Sequence, residues 1–313
     1  MAFPVLLVAA TSIAICGALT TVSARADDRP VTLSLGLGLA DIRAEERVYH
    51  GDRKVSHLDW RSTGVTVLRG AASIDLGRDW SLNVEAKAGL NGNGHMVDYD
   101  WVSPYFIDQS KNGWSHRSIH DDTDLDHYYS GSFDLTRLLL DTGGSKLSAG
   151  LGGRYTDVQW TANGGSLIYS AKGRRNISAT IADGTRGITY RQTMPVVYAT
   201  LGGAQTLGQF VFSGSLEAGA VISGQTDDDH WLRKLHFTDR FTPAPSFGIK
   251  AAIDYKLTET TALYINGSFE STRFRRGDTH VSHTVSGEFV DFPDTAGGSF
   301  ATMLVGFGVK GSF

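Results

Sequence analysis

Two short clusters hold the residue types that move protons. Met96-Val97-Asp98-Tyr99-Asp100-Trp101 sets two carboxylates at i and i+2, and Thr226-Asp227-Asp228-Asp229-His230 sets a carboxylate and an imidazole at the same spacing. Residues two apart on an extended chain point to one side. A carboxylate beside an imidazole orients the ring and raises its basicity. Two carboxylates at close range hold a water or share a proton. If the clusters meet, a water between His230 and Asp98 is the chemistry they support. Spacing alone leaves two other readings open: a solvated loop rim, and a loose calcium site of Asp98, Asp100 and Asp227. The chain has no His-Glu-x-x-His and no Gly-x-Ser-x-Gly. His57, His116 and His283 read as loop or rim residues, and the acidic run from His120 to Asp126 as a solvated loop face.

The rest of the chain must position these clusters. It has 313 residues, with 29 Lys+Arg against 33 Asp+Glu and a net charge of −4. That balance excludes nucleic-acid binding through bulk positive charge. The 41% hydrophobic content excludes a disordered chain, and 37 glycines without a collagen period suit β-structure with many turns. The single cysteine, Cys16, lies in an apolar stretch from Phe3 to Val22 that ends in Ser23-Ala24-Arg25-Ala26. This reads as a secretory signal cleaved after Ala26. The mature chain, 27–313, is then one domain without cysteine and without a Cys-based metal site.

The mature segments alternate with period two. From Val31 to Leu39 every odd residue is apolar and every even one polar or Gly. Trp80 to Asn91, Phe210 to Ile222 and Thr261 to Glu270 repeat the pattern. The polar faces are small and mostly uncharged, which fits a packed lumen inside a lipid-facing wall. No mature segment spans as a helix, so a closed barrel is the form that crosses a membrane. Tight connections fall at Gly77 to Asp79, Asp141 to Lys146, Thr206 to Gln209 and Lys256 to Thr260. Long polar stretches fall at Val102 to Asp124, Ser166 to Gly187, Asp227 to Pro243 and Gly277 to Gly297, with a shorter one at His50 to Arg53. Four turns and five loops predict ten antiparallel strands, closed by a last strand ending in Phe313. Counting by twos from Trp80 and from Phe210, however, turns Asp98, Asp100, Asp228 and His230 toward lipid. Charge cannot face hydrocarbon cheaply, so a bulge or bend is predicted at Gly92 and Gly94 and at Gly224.

Several motifs together resemble the omptins, outer-membrane aspartyl-type proteases of Gram-negative bacteria. They are Glu46-Arg47-Val48-Tyr49, Arg53-Lys54-Val55-Ser56-x-Leu58-Asp59-Trp60, Met96-Val97-Asp98-x-Asp100-Trp101, Gly164-Gly165-Ser166-x-Ile168-Tyr169-Ser170 and Asp228-x-His230. They run in order from Glu45 to Phe313. The resemblance implies a ten-stranded barrel rising above the outer membrane, with an exterior groove that cuts polypeptides after Arg or Lys. Asp98 and Asp100 match the acidic pair, and Asp228 and His230 the Asp–His dyad. Ser118 and His120 match supporting positions near the groove. Glu46 matches one acid of the pocket for the basic residue. The second acidic position is Thr226 here, with Asp227 as a possible substitute. His116 stands where strict dibasic cutters have an acid, so little demand for a second basic residue is expected. No metal or other cofactor is implied, but lipopolysaccharide is, as an activating lipid. Tyr155 and Asp157 match part of its motif, while Gln159 replaces an expected Arg, leaving Lys234 or Arg240 as substitutes. Cationic polypeptides are the expected partners. An inactive barrel serving as an adhesin or scaffold is the alternative. A lipid-modifying enzyme lacks a placed Ser–His pair, and ten strands leave too narrow a lumen for a passive pore.

Overall fold

The computed structural model describes residues 31–313. The expected signal segment, 1–26, lies outside the described residues. Thirteen β-segments follow in order: β1 (Val31–His50), β2 (Arg53–Gly77), β3 (Trp80–Gly89), β4 (Asn93–Asp100), β5 (His116–Asp141), β6 (Ser145–Tyr169), β7 (Ile177–Leu207), β8 (Phe210–Val221), β9 (Gly224–His230), β10 (Leu235–Phe241), β11 (Ala244–Lys256), β12 (Thr261–His283) and β13 (Phe289–Ser312). Three pairs of segments are single strands with a break. β3 and β4 both lie between β2 and β5, β8 and β9 both pair with β7, and β10 and β11 both pair with β12. Ten antiparallel strands therefore form a ring, which closes where β1 pairs with β2 on one side and β13 on the other.

Leu35, Leu37 and Leu39 on β1 stand opposite Val309, Phe307 and Val305 on β13, all on the outer wall. Leu39 is 61% exposed and Phe307 64%. Large apolar side chains left outside in rows, over a polar interior, mark a lipid-facing belt. Inside the belt, Lys87 reaches Glu270 at 2.7 Å, Arg154 reaches Glu217 at 2.7 Å and Glu270 at 3.3 Å, and Lys250 reaches Glu217 at 2.9 Å. Higher in the barrel, Trp60 stacks on Tyr190 at 5.4 Å and on Trp160 at 6.2 Å. The indole N–H of Trp160 donates to Ser62 at 2.9 Å. This aromatic layer is the floor on which the site stands.

At the lower end the hairpins are tight. Arg78 and Asp79, between β2 and β3, have φ of 54° and 69°, the double positive φ of a type I′ turn. At the upper end the structure differs from the loop prediction. Strand runs far into the long polar stretches and takes up most of all but the first: β5 begins at His116, β6 runs to Tyr169, β7 begins at Ile177, β12 runs to His283 and β13 begins at Phe289. Above the belt both faces of a strand meet water or polar partners. Alternation, the signal of a half-buried strand, is therefore lost there.

The expected bend is present and changes which face looks inward. Lys87 is buried inside on β3, whereas Met96 and Asp98 are buried inside on β4. The ladder is interrupted at residues 90–92, so Gly92 lies within the break. The partner strand changes at the same level. Ser62 and Val65 on β2 are both buried, with Gly64 at φ 64° between them. On the far wall the inward set passes from Glu217 and Val221 to Thr226 and Asp228 across a break at residues 222–223, just before Gly224. Gly94 serves another purpose, because a Cβ there would stand 1.9 Å from the Thr123 carbonyl oxygen. Gly94→Ala should destabilise the barrel by about 1–3 kcal/mol, read as a lower melting temperature in detergent. Gly131→Ala is the control, since a Cβ at Gly131 meets nothing within 4 Å.

Candidate active site

Ladder rows explain how residues far apart in sequence meet. Asp98 on β4 stands opposite Leu58 on β2 and Ser118 on β5, and Leu58 stands opposite Glu46 on β1. On the far wall, Tyr190 and Gln192 on β7 stand opposite Asp228 and Thr226 on β9, and Thr226 stands opposite Asp239 on β10. All lie above the parity change, clear of the lipid belt.

The two clusters face each other. Asp98, Ser118, His120, Tyr169, His230 and Arg233 line one cleft of about 60 Å³, large enough for water between the walls. His230 Nε2 is 2.9 Å from Asp228 Oδ2, and Asp228 is 2% exposed. With Nε2 held by a carboxylate, the imidazole keeps Nδ1 free to accept a proton. Burial works against the charged ring, but the charge and hydrogen bond of Asp228 outweigh it, so the His230 pKa lies above its usual value. Asp98 accepts a hydrogen bond from Ser56 Oγ at 3.1 Å. Burial, reinforced by the Asp100 charge, pushes its carboxyl up to about 8, against the opposing pull of His230 and Arg233. Burial also raises Asp100, which lies within reach of Arg233, Ser56, His116 and His230.

The supporting residues sit at the same level. His120 Nε2 is 3.1 Å from Ser118 Oγ, and burial lowers the His120 pKa, which favours the neutral ring. His116, opposite Asp100 across the β4–β5 ladder, packs edge-on to Tyr169 at 4.8 Å. The motif residue Glu46 is 4% exposed. Burial first, then the charges of Asp228, Asp239 and Asp98, raises its pKa well above the usual range.

Two readings of Asp227 are corrected, and the candidate lipid residues are placed. Asp227 points to the opposite face of β9, where it accepts hydrogen bonds from Gln225 at 2.9 Å and Thr238 at 3.0 Å. It therefore joins neither the Glu46 pocket nor a calcium trio with Asp98 and Asp100. Lys234 lies in the turn after β9, and Arg240 stands on β10. Neither meets Asp157. Asp157 instead accepts two bonds from Arg191, at 2.9 and 2.6 Å, and lies 2.9 Å from His127 Nε2. Tyr155 lies exposed on the same outer face of β6, and Gln159 is engaged with Asp126 at 2.7 Å.

Sequence reasoning missed Arg233, Tyr190, Gln192 and Asp239. A signal existed for Asp239. A four-residue turn after His230 sets Asp239 opposite Thr226.

A further acid–imidazole group, Glu45, His57 and Asp59, has its ligand atoms within 4.8 Å of one another. Lys111 already reaches Asp59 at 2.7 Å, and Arg47 is bonded to Glu45. Its charge is thus balanced without a metal.

The ten-stranded ring has known counterparts. The sequence model of the omptin family matches residues 27–313. The chain belongs to the omptin family. Among curated relatives, the outer membrane protease OmpP of Escherichia coli (strain K12) is 29% identical over 259 residues, 80% of each chain. The outer membrane protease IcsP of Shigella flexneri is 29% identical over 290 residues, 85% of this chain and 89% of that one. The crystal structure of the outer membrane protease OmpT from Escherichia coli superposes with a TM-score of 0.85 at 24% identity, covering 91% of this chain and 97% of that one. This omptin is an outer-membrane barrel of a protease family, and the end that bears the cleft is its exterior end.

Proposed function

We propose that this omptin hydrolyses exposed polypeptides after Arg or Lys, using a water held between His230 and Asp98. The observation that carries the reading is the cleft itself, which presents Asp98 and a carboxylate-held His230 from opposite walls of the barrel. His230 Nδ1 takes a proton from the water as its oxygen attacks the scissile carbonyl carbon. The imidazolium, stabilised by Asp228, then returns the proton to the leaving amide nitrogen. Asp98 orients the water through a second hydrogen bond, and Asp100 tunes Asp98. This is aspartyl-type chemistry with a histidine base and no acyl-enzyme. Ser118 and His120 support the wall that carries Asp98. His116 presents no acid to the residue after the cut, so a second basic residue gains nothing there.

Lipopolysaccharide is the proposed activating lipid. Arg191, His127 and Tyr155 on the outer wall offer a cation, an imidazole and a phenol to phosphate and sugar. Arg191 supplies the guanidinium that Gln159 lacks.

The test is cleavage of a fluorogenic Arg-Val peptide by the mature barrel, refolded in detergent with lipopolysaccharide, beside peptides with neutral residues before the cut. Selective cleavage after the basic residue is expected. No cleavage of any peptide by a folded, lipid-loaded barrel would leave the adhesin or scaffold reading in its place.

The acid–base groups also set the pH dependence. His230 works as the neutral base and Asp98 as the carboxylate, and both pKa values are raised. Hence kcat/KM should climb as pH rises past the ordinary imidazole value of about 6.5. Asp228→Asn removes the charge that stabilises the imidazolium. It should move the His230 contribution to lower pH while reducing the plateau rate.

A further inference from the structure

Acids inside this barrel normally have cations. In the lower layer Glu270 meets Lys87 and Arg154, and Glu217 meets Arg154 and Lys250. Beside the catalytic cleft the pattern breaks. Glu46 and Asp239, 4% and 2% exposed, have no Lys or Arg ion-pair partner among the described residues. Glu46 Oε2 and Asp239 Oδ1 are buried without hydrogen-bond partners. So are the Tyr190 hydroxyl and both ends of the Gln192 amide, on side chains that are 0% exposed.

These orphaned groups converge. Gly298 is the ladder partner of Glu46, and a Cβ added to it would stand 3.0 Å from Gln192 Nε2 and 3.3 Å from the Tyr190 hydroxyl. Thr226 is opposite both Gln192 and Asp239, and its hydroxyl donates to Asp239 Oδ2 at 3.2 Å. Unsatisfied buried acceptors cost about 1–3 kcal/mol each. A buried cluster that gathers several of them, two on carboxyls without a cation, is built for a cationic guest.

We propose that Asp239 is the second anion of the pocket for the substrate's basic side chain, supplying from β10 the carboxylate that Thr226 does not supply from β9. The proposal rests on the protease reading above and extends it to the substrate. Glu46 on β1, Tyr190 and Gln192 on β7 and Asp239 on β10 offer acceptors from three separate strands. A guanidinium has five N–H donors spread in a plane, whereas an ammonium has three on one atom. The pocket therefore selects arginine over lysine. Burial, with added repulsion from Asp228, holds the Asp239 carboxyl up to about 7, and a bound cation relieves that repulsion.

The test uses the refolded mature barrel with lipopolysaccharide and three peptides that differ only before the cut: Arg, Lys and citrulline, the uncharged analogue of Arg. Wild type should rank them Arg, Lys, citrulline. Asp239→Asn should lower kcat/KM for the Arg peptide about 100-fold, mainly through KM, because one partner of a buried charge pair is removed. Its citrulline cleavage should fall far less, because citrulline brings no charge for Asp239 to pair. Adding Thr226→Asp to Asp239→Asn should restore the Arg preference by moving the acid across the ladder. Folding is read from heat-sensitive mobility in detergent gels. If the Asn variant does not fold, Asp239→Ser, which keeps a partner for Thr226, carries the same expectation. A folded variant lacking Asp239 that keeps the full Arg-over-citrulline preference would overturn the role of Asp239 alone. Wild type that cleaves citrulline as readily as Arg would overturn the basic-residue reading itself, as would wild type that cleaves neither.

Discussion

His230→Ala should lower kcat on an Arg-Val peptide by about 10²–10⁴-fold, the usual contribution of a general base, with KM little changed. The variant should fold, since His230 sits at the end of β9, where its side chain hydrogen-bonds Asp228. Asp98→Ala should fall in the same range, because the water loses its second anchor while His230 remains. The double variant should be scarcely worse than either single one, because the two groups act on one water and their losses do not add. Ser118→Ala should cost far less than either. Full additivity of His230→Ala and Asp98→Ala would count against a shared water. Retained activity in His230→Ala would dispose of the base assignment. Both are read from initial rates at saturating and limiting peptide, after heat-sensitive mobility has confirmed folding.

Glu270→Ala should be strongly destabilising. Glu270 is 2% exposed and lies 2.7 Å from Lys87 and 3.3 Å from Arg154. Its removal leaves Lys87 with Glu85 and Arg154 with Glu217 as their remaining anions, a loss of about 3 kcal/mol, the low end for a broken buried pair. The charge is the decisive part, so Glu270→Gln should recover little of it. Replacing Lys87 and Glu270 together by Met and Leu should recover much of it, because a well-packed apolar pair avoids the desolvation cost. Thermal unfolding in detergent, followed by loss of β-sheet circular dichroism, measures all three. Equal melting temperatures for Glu270→Ala and wild type would mean that water in the lumen screens this layer. The neighbouring lumen does hold a cavity of about 360 Å³, lined by groups such as Glu85, Lys250 and Lys310. Glu270, Lys87 and Arg154, none of which lines that cavity, are what the measurement interrogates.

The site was legible in part because its chemistry is local. Asp98 with Asp100, and Asp228 with His230, share a face at a spacing of two, and any extended chain delivers that. The contradiction between this spacing and the lipid-facing count was itself informative. It required a change of parity, and the breaks lie at residues 90–92 and 222–223, where the glycines had pointed. The pocket was less legible. Thr226 left a missing acid, and the nearest candidate by sequence, Asp227, points away because neighbours on a strand alternate. Asp239 lies beyond a turn, and only the β9–β10 register sets it against Thr226. The lipid motif behaves the same way. Arg191 is far from Asp157 in sequence but bonds it across the β6–β7 ladder.

The sequence alone thus determined the alternating strands, the closed barrel they require, and the acid and imidazole pairs at its rim. Those are short-range properties, set by side-chain period and by the cost of unpaired backbone in lipid. Tertiary structure decided how far the strands continue above the belt, where polar residues on both faces erase the alternation. It also decided which residues oppose one another across the ring. Register and closure bring Glu46, Asp239, Asp98 and His230 to one level of the barrel, and neither is written in any single strand.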